Sequence, residues 1–424
     1  MGVLSSPLTI AVLMGTILIL IVRPRHVNEG FAATLGALAV LALGSATPSD
    51  VLRGTEQTAG ILVFLLSMMV VVVIAEDAGF FEWSASAAIG LSKGSGHLLY
   101  LNLYLLGALV TIFLSLDVTA IIIAPIVCAL VRRARLAPLP FVMGCAYVAN
   151  TASLFLPVSN LTNMLVYSLL HVPFWAFVRW MTIPNLVAMA VNLAVFFVVF
   201  RRSIPLRFIL PDDNCDFKID RTRLAIAGFG LGAVVVGLLV FGALGLALYV
   251  PALVGALLMT LFALARGDIT AERLIGGVAW SLPLFVIGMY TIVVAAERAG
   301  MGALWGGVMN APVGSASFGE LVGIAMATTV GSNLVNNIPM SLVVIAGLGS
   351  SNSVAPSLTA LVSLIGTNVG PNVTIFGSLA TMLVLHAARR NGYWIDPWQY
   401  LRIGLLTVPL MVLAATLGFW AQLR

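Results

Sequence analysis

Long apolar runs separated by short polar segments fill this chain, and they constrain its fold more than any other feature. The runs Ala59–Ala75, Leu224–Leu246 and Ala279–Ala296 contain no charged residue, and an α-helix needs about 20 such residues to cross a bilayer. Only 9% of the 424 residues are charged and 61% are hydrophobic, whereas a soluble domain has roughly 25% charged residues. We therefore predict an all-α polytopic protein that lies in a lipid bilayer.

Four apolar stretches have polar residues in their middle. Residues 97–131 and 318–348 are predicted to form re-entrant helical hairpins, and residues 139–170 and 356–388 are predicted to form broken helices. Polar backbone at membrane depth persists only where it is buried in protein or lines a wet cavity. For residues 97–131 two full spans are the alternative, and the polar tip at Ser115–Thr119 favours the hairpin.

The two halves of the chain repeat each other. The segment Ala75–Gly79 matches Ala296–Gly300, 221 residues further on. The interruption at Asp117 falls opposite Asn337, and the later landmarks keep the same order. If each hairpin enters and leaves on one side, each half has five transmembrane helices, so the halves have opposite orientation. We predict two inverted-topology repeats, a plan that secondary transporters use. The N-terminal repeat covers 1–202, a linker covers 203–221, and the C-terminal repeat covers 222–424.

The basic residues support this topology. With both termini outside, 17 of the 21 Lys and Arg residues lie in inner loops, and only Arg53, Arg179, Arg298 and Arg424 lie outside. Cytoplasmic loops of membrane proteins carry such an excess of positive charge. The prediction is therefore a multi-pass inner-membrane protein whose loop 203–221 is cytoplasmic.

Asp117 is the one acidic residue predicted to lie deep in a span. An intramembrane carboxylate is costly, and by default it indicates a proton relay or an ion ligand. We predict that Asp117 couples transport to protons. The alternative is a structural role, in which the Asp117 carboxylate caps the second arm of the hairpin through its first N–H groups.

Uncharged polar residues in the other interruptions are the candidates for substrate binding. An amide offers two donors and an acceptor, so it binds a neutral hydroxylated solute without a charge. The alternative is that these amides join neighbouring helices. The predicted substrate-binding residues are Asn150, Thr151, Ser153, Ser332, Asn333, Asn336, Asn337, Asn368 and Asn372. The predicted supporting residues are Thr119, Asn160, Gly370, Pro371 and Thr374.

The sequence excludes several other classes of protein. Its only lysines are Lys93 and Lys218, and neither follows a glycine-rich phosphate-binding loop, so the chain has no ATP-binding motif. The three cysteines are scattered and form neither a disulfide framework nor a CxxC metal pair. We expect no enzymatic activity, no cofactor, no metal and no nucleic acid.

Taken together, the polar segments resemble the ArsB arsenite permeases of the ion transporter superfamily nearly from end to end. The segments that carry the resemblance are Leu116–Ala120 with Ala124–Val127, Asn150–Ser153 with Val158–Asn163, Asn336–Pro339, and Gly370–Pro371 through Gly377–Thr381.

This resemblance implies a secondary transporter that exports trivalent arsenite and antimonite as neutral hydroxides in exchange for protons. It also implies alternating access and, in some members, a partner ATPase on the cytoplasmic side. The chain departs from the family pattern, in which many members have Asp at positions 150 and 368 and Lys at position 372. This chain has Asn at all three, which leaves Asp117 as the main ionisable group.

Two rival functions remain at the level of sequence. A sodium-coupled carboxylate transporter or a Na⁺/H⁺ antiporter of the same superfamily would share the fold. A carboxylate carrier would want Ser-Asn-Thr motifs in both repeats, whereas here only Asn150–Thr151 is similar. A passive channel is a rival from another class, and it needs no buried titratable group, so Asp117 argues against it.

Overall fold

The computed structural model describes residues 2–22, 28–169, 171–208, 220–301, 317–349 and 356–424, and within these ranges the chain is helical and contains no strand. The helices of the first half are α1 Gly2–Val22, α2 Glu29–Ala42, α3 Pro48–Asp77, α4 Phe80–Ser92, α5 Gly96–Phe113, α6 Leu116–Val118, α7 Ala124–Arg133, α8 Pro138–Ala152, α9 Leu161–Leu169 and α10 Phe174–Val199. Those of the second half are α11 Arg221–Ala243, α12 Tyr249–Ala265, α13 Ala271–Gly277, α14 Ser281–Ala296, α15 Phe318–Val335, α16 Asn337–Gly349, α17 Pro356–Asn368, α18 Leu379–Arg390 and α19 Pro397–Trp420.

Many of these helices have the length and hydropathy of membrane spans. Seven helical segments in the described ranges are long and apolar enough to cross a bilayer, and three shorter apolar segments accompany them. Large hydrophobic side chains remain exposed on their outer faces, among them Phe229, Leu257 and Leu261. On helices of this length and hydropathy, apolar surface of this extent is typical of contact with lipid. The prediction of an all-α polytopic membrane protein is confirmed.

Two details differ from the sequence-based expectation. The third helix was expected over Ala59–Ala75, but α3 begins at Pro48. A capping box explains this early start, because Asp50 accepts hydrogen bonds from the backbone N–H and the hydroxyl of Thr47 at 2.8 and 2.7 Å. The short helix α13 was not expected. The Thr270 hydroxyl accepts a hydrogen bond from the Arg273 N–H at 3.2 Å and so begins this helix.

Both predicted hairpins are present. The chain turns back after Phe113, and α6 continues through a π-helical turn at Thr119–Ile123 into α7. The Ser115 hydroxyl accepts a hydrogen bond from the Val118 N–H at 3.3 Å, so Ser115 caps the returning arm. The expected alternative, in which Asp117 is the cap, is therefore wrong. In the second hairpin Asn336, with a φ of 74°, makes the turn between α15 and α16.

Both predicted broken helices are also present. Helix α8 stops at Ala152, and α9 resumes at Leu161 after a 3₁₀ turn over Pro157–Ser159. Helix α17 stops at Asn368, and α18 resumes at Leu379 after two 3₁₀ turns, Gly370–Val373 and Ile375–Gly377. Pro157 begins the turn in the first break, and Pro371 is the second residue of the first turn in the other break. Proline cannot supply the N–H that a continuous helix needs.

The halves pack reciprocally. Helix α2 packs against α14, and its equivalent in the second half, α12, packs against α3, the equivalent of α14. Across the same axis α8 contacts α18, and α10 contacts α19. This exchange of partners is what two inverted repeats require. The division into 1–202, 203–221 and 222–424 stays a prediction, and residues 209–219 of the predicted linker lie outside the described ranges.

Ion pairs hold both ends of α3. One end is paired with a residue just after α14, and the other end with α13 and α11. Arg298, just after α14, makes two hydrogen bonds to the buried carboxylate of Asp50, at 2.6 and 2.7 Å. At the other end of α3, Arg273 of α13 binds Glu76 at 2.9 Å, and Arg223 of α11 binds Asp77 at 2.7 Å. These pairs fix the lengthwise position of α3 against its neighbours.

Close packing of α2 on α14 yields the first prediction. A Cβ at Gly288 would lie 2.7 Å from the carbonyl of Ala33, whereas a Cβ at Gly232 on α11 meets nothing within 4 Å. We expect Gly288→Val to lower the free energy of unfolding by about 1–3 kcal/mol, the usual cost of overpacking. Thermal unfolding of the purified protein in detergent measures this. Gly232→Val is the matched control, and equal losses in both variants would contradict the prediction.

Candidate functional site

A cavity lies where the two repeats meet, and each repeat contributes the same three elements to its wall. These elements are a hairpin turn, the first residues of a resumed half-helix, and a leucine of α3 or α14. The cavity is small, with about 20 Å³ of space open to the centre of a water-sized molecule. Its lining residues are Leu65, Leu116, Asp117, Asn160 and Leu161 from the first half, and Leu282, Asn337, Ile338, Ser378, Leu379 and Ala380 from the second.

Two helices, α9 and α18, begin at this cavity. The Asn160 side-chain oxygen accepts a hydrogen bond from the Thr162 N–H at 3.2 Å at the start of α9. In the same way, the Ser378 hydroxyl accepts one from the Ala380 N–H at 3.1 Å at the start of α18. A helix N-terminus carries a partial positive charge and unpaired N–H groups. The cavity therefore offers hydrogen-bond donors from both repeats to an oxygen-bearing solute.

Asn337 faces this cavity as the first residue of α16. Its side chain is buried, and its Oδ1 atom has no hydrogen-bond partner in the described part of the chain. A buried amide oxygen without a partner costs about 1–3 kcal/mol. An amide in this position is expected to bind a solute that donates a hydrogen bond.

Asp117 faces Asn337 across the cavity from the first hairpin turn. As a whole residue Asp117 is half-buried. It follows Ser115 in the first turn of the returning arm, where a helix N-terminus stabilises negative charge. Within the described ranges no hydrogen bond or ion pair of this carboxylate is observed, so it is available to a proton or a solute.

Asn333 serves a different purpose, because its amide is fully used inside the protein. It donates to the carbonyls of Thr329 and Gly370 at 2.9 and 2.8 Å. Its oxygen accepts hydrogen bonds from the N–H and the hydroxyl of Thr374, both at 2.9 Å. Asn336 adds a hydrogen bond to the carbonyl of Phe376 at 3.1 Å. These bonds join the second hairpin to the second broken helix.

A buried network of amides and hydroxyls joins the two broken helices. Asn150 of the first repeat donates to Asn372 and Thr381 of the second, both at 2.9 Å. Asn372 also donates to the Thr151 hydroxyl at 3.3 Å. All of these side chains are buried, at 0% exposure. The network therefore holds the broken segments together rather than facing the cavity.

Asn368 is the centre of a second part of this network. Its oxygen accepts hydrogen bonds from Asn160 and from the hydroxyls of Ser153 and Thr162, the last two at 2.9 and 3.3 Å. Its nitrogen donates to Asn163 Oδ1 at 2.9 Å. Four side chains of the first repeat thus depend on one amide of the second.

The predicted site residues divide into three groups. Asp117, Asn160 and Asn337 line the cavity. Asn150, Thr151, Ser153, Asn368 and Asn372 belong to the buried network. The remaining residues support the hairpins and the breaks, and these are Thr119, Ser332, Asn333, Asn336, Gly370, Pro371 and Thr374. Whether each residue binds substrate stays a prediction.

Ser378 is a cavity residue that the sequence-based site omits. A signal for it exists, since Ser378 lies 218 residues after Asn160 in the repeat and starts its half-helix in the same way. The backbone of Leu379 and Ala380 was not predictable from side-chain chemistry, because main-chain groups carry no signature in a sequence.

The fold defines a class of protein, a membrane transporter built from inverted repeats. A family model described as "Arsenical pump membrane protein" matches residues 8–423, and the chain belongs to this ArsB family. An arsenical pump membrane protein of Escherichia coli is 30% identical over 414 residues, which cover 95% of each chain. A putative arsenical pump membrane protein of Bacillus subtilis is 25% identical over 433 residues, covering 96% of this chain and 97% of the relative.

A solved structure supports the fold. The YdaH transporter of Alcanivorax borkumensis, described as having an unusual topology, aligns with a TM-score of 0.61 at 15% identity. The alignment covers 88% of this chain and 87% of that one. At this identity the similarity concerns the fold alone.

The different roles of the asparagines yield the second prediction. Asn368→Leu removes one hydrogen-bond partner from each of four buried groups, which keep only the bonds they make among themselves and to Asn150, and it places an apolar side chain in a polar network. We expect a marked loss of thermal stability in detergent for this variant. Asn337→Leu removes an amide whose oxygen has no partner in the described part of the chain, so it should leave the unfolding temperature nearly unchanged. Equal destabilisation of both variants would contradict this division.

Proposed function

We propose that this chain exports trivalent arsenite or antimonite, as the neutral hydroxide, across the inner membrane in exchange for protons by alternating access. Membership in the arsenical pump family supports arsenical efflux. The observation that carries the finer proposal is the composition of the cavity. Its polar side chains are three uncharged groups, Asn160, Asn337 and Ser378, and one carboxylate, Asp117.

A neutral trihydroxide suits such a site. Each hydroxyl of the solute both donates and accepts hydrogen bonds, as amides do. Asn337 Oδ1 would accept from one hydroxyl, and the N–H groups at the starts of α9 and α18 would donate to others. No ion has to be desolvated in this binding step, and desolvation is the main cost of a buried charge.

Asp117 would exchange the proton. While a hydroxyl of the neutral trihydroxide donates a hydrogen bond to the ionised Asp117 carboxylate, the site retains this solute. When the carboxylate takes up a proton from the outer side, that acceptor is lost and the trihydroxide is released. The proton and the trihydroxide then bind alternately to one site, as antiport by alternating access requires.

The same cavity argues against a carboxylate substrate. None of its lining residues is basic, and an anionic solute would face the charge of Asp117. The helix N-termini alone would have to offset that repulsion. The sodium-coupled carboxylate transporter is therefore the weaker hypothesis.

The orientation with both termini outside and the loop 203–221 inside rests on the distribution of basic residues. A cytoplasmic ATPase as an additional partner remains a proposal that follows from the family alone. The chain itself carries no ATP-binding motif, so the proton gradient is the energy source proposed for it.

The third prediction concerns Asp117. We expect Asp117→Asn to abolish arsenite uptake driven by a pH gradient in everted membrane vesicles, because an amide does not take up or release protons near neutral pH. Uptake is measured with labelled arsenite at matched protein levels. Glu56→Asn replaces an exposed acid of α3 and is the control. Undiminished gradient-driven uptake by the Asp117 variant would remove this residue from the mechanism.

The fourth prediction concerns the substrate. Expression of the chain in bacteria that lack arsenite efflux should raise the arsenite concentration at which they grow, and Asp117→Asn at equal membrane levels should not. Growth curves with graded arsenite and antimonite provide the measurement. Unchanged sensitivity together with sodium-dependent uptake of succinate would favour the rival transporter.

A further inference from the structure

A cavity much larger than the central one between Asp117 and Asn337 lies among the turns that follow α9 and α11. We call it the vestibule, and its lining residues lie between positions 57 and 61, 164 and 175, and 242 and 249. It offers about 620 Å³ of space to the centre of a water-sized molecule, against about 20 Å³ in the central cavity. A single water needs roughly 10–15 Å³ by this measure. The central cavity is therefore closed, and a larger solute needs an opening to leave it.

The vestibule and the central cavity lie end to end along the same two helices, α3 and α9, which pack against each other. On α3, Leu65 lines the central cavity, and Ile61, four residues earlier, lines the vestibule. On α9, Leu161 lines the central cavity, and Met164, three residues later, lines the vestibule. Each step is about one helical turn, roughly 5 Å along the axis. The two cavities are thus separated by a layer one turn thick.

This layer is apolar and closely packed. Its members are Ile61, Leu65, Leu161 and Met164, which are 2%, 8%, 5% and 3% exposed, and we call them the apolar layer. A hydrophobic constriction excludes water and so can serve as a gate. The layer parts without the loss of a side-chain hydrogen bond or ion pair, because its side chains have none to lose. Its α9 half belongs to a broken helix, which resumes at Leu161 after an irregular segment.

In the proposed orientation the vestibule lies on the outer side of the layer. Helix α3 begins on the outer side and α9 ends there, so the step from the central cavity to the vestibule leads outward on both helices. None of the residues that line the vestibule is Asp, Glu, Lys or Arg. A neutral solute therefore meets no ionic trap in it, and an anionic lipid headgroup meets no Lys or Arg partner.

Polar side chains in the vestibule suit a hydroxylated solute. Gln57 and Ser168 both line it. The Tyr290 hydroxyl donates a hydrogen bond to the Gln57 side-chain oxygen, which fixes the orientation of this amide. The amide nitrogen of Gln57 has no partner within the described ranges and can donate to a passing hydroxyl.

We propose that the vestibule is the outer exit for the transported solute and that the apolar layer is the gate in front of it. This inference rests on the proposed export of the neutral trihydroxide. After Asp117 has taken up its proton, the trihydroxide leaves the central cavity between α3 and α9, where the apolar layer parts. It then crosses the vestibule, where Gln57 and Ser168 offer hydrogen bonds, and reaches the outer solution.

Ser168→Trp tests the route by filling it. Ser168 is half-buried near the end of α9 and lines the vestibule, so an indole there enters open space rather than the packed interior. In everted vesicles we expect arsenite uptake driven by a pH gradient to fall at least about tenfold, an added barrier of about 1.4 kcal/mol. The unfolding temperature in detergent should be unchanged. Val240→Trp, at an exposed position of α11, is the matched control and should transport at the wild-type level.

Labelling of Ser168→Cys is a second measurement, made in a chain with Cys215→Ser, since Cys128 and Cys145 are buried. In right-side-out vesicles, a charged thiol reagent that does not cross membranes should modify this cysteine from the outer side. Leu161→Cys, on the other side of the apolar layer, should react much more slowly with the same reagent, because the layer excludes it.

Wild-type uptake by Ser168→Trp would overturn the inference. Absence of labelling of Ser168→Cys from the outer side would also overturn it, and this is the result expected if lipid fills the vestibule. If Ser168→Trp lowers the unfolding temperature, the labelling rates of the two cysteine variants decide, and equal rates would refute the gate. A wild-type chain that transports no arsenite would refute the proposed export itself, which is a distinguishable result because it is measured on the unmodified protein.

Discussion

Polar groups inside a membrane protein must find their partners within the protein, and the amide network between the two broken helices meets this requirement. Each break leaves main-chain groups of α8 and α17 without helical partners, and water at that depth is scarce. In the first break the Asn163 amide satisfies two main-chain carbonyls, donating to those of Ser153 and Leu156 at 2.6 and 2.9 Å. Because Asn150 and Asn368 bond across the repeats, the same amides that stabilise the breaks also hold the two halves together.

The departure from the family pattern has a structural counterpart. The resemblance implies Asp and Lys at positions 150 and 372 in many members, and here Asn150 donates to Asn372 at 2.9 Å. A neutral amide pair thus occupies the place of opposite charges. A buried ion pair carries a large desolvation cost, and a neutral pair of similar volume avoids it. Among the predicted site residues the ionisable one is Asp117, which lies at the cavity rather than in the network.

Particular residues show how much the sequence could predict. The hairpins expected at 97–131 and 318–348 are found as Gly96–Arg133 and Phe318–Gly349, because polar interruptions in apolar runs are strong signals. The start of α3 was missed, since its capping box lies among charged residues that suggest a loop. The sequence also singled out asparagines without separating their roles. That separation depends on contacts such as Asn160 to Asn368, 208 residues apart, and no local pattern encodes such a contact.

The ion pairs at the ends of α3 have a consequence for motion. Carboxylates stand at both ends of α3, and guanidinium groups stand opposite them at Arg298 and Arg273. Sliding α3 by a single helical turn, about 5.4 Å, would break both contacts at once and would bring neither arginine to a new acid. These helices therefore form a frame of fixed register. Under the proposed alternating access, rearrangement would fall to the hairpins and broken helices, which contain the short irregular segments of the chain.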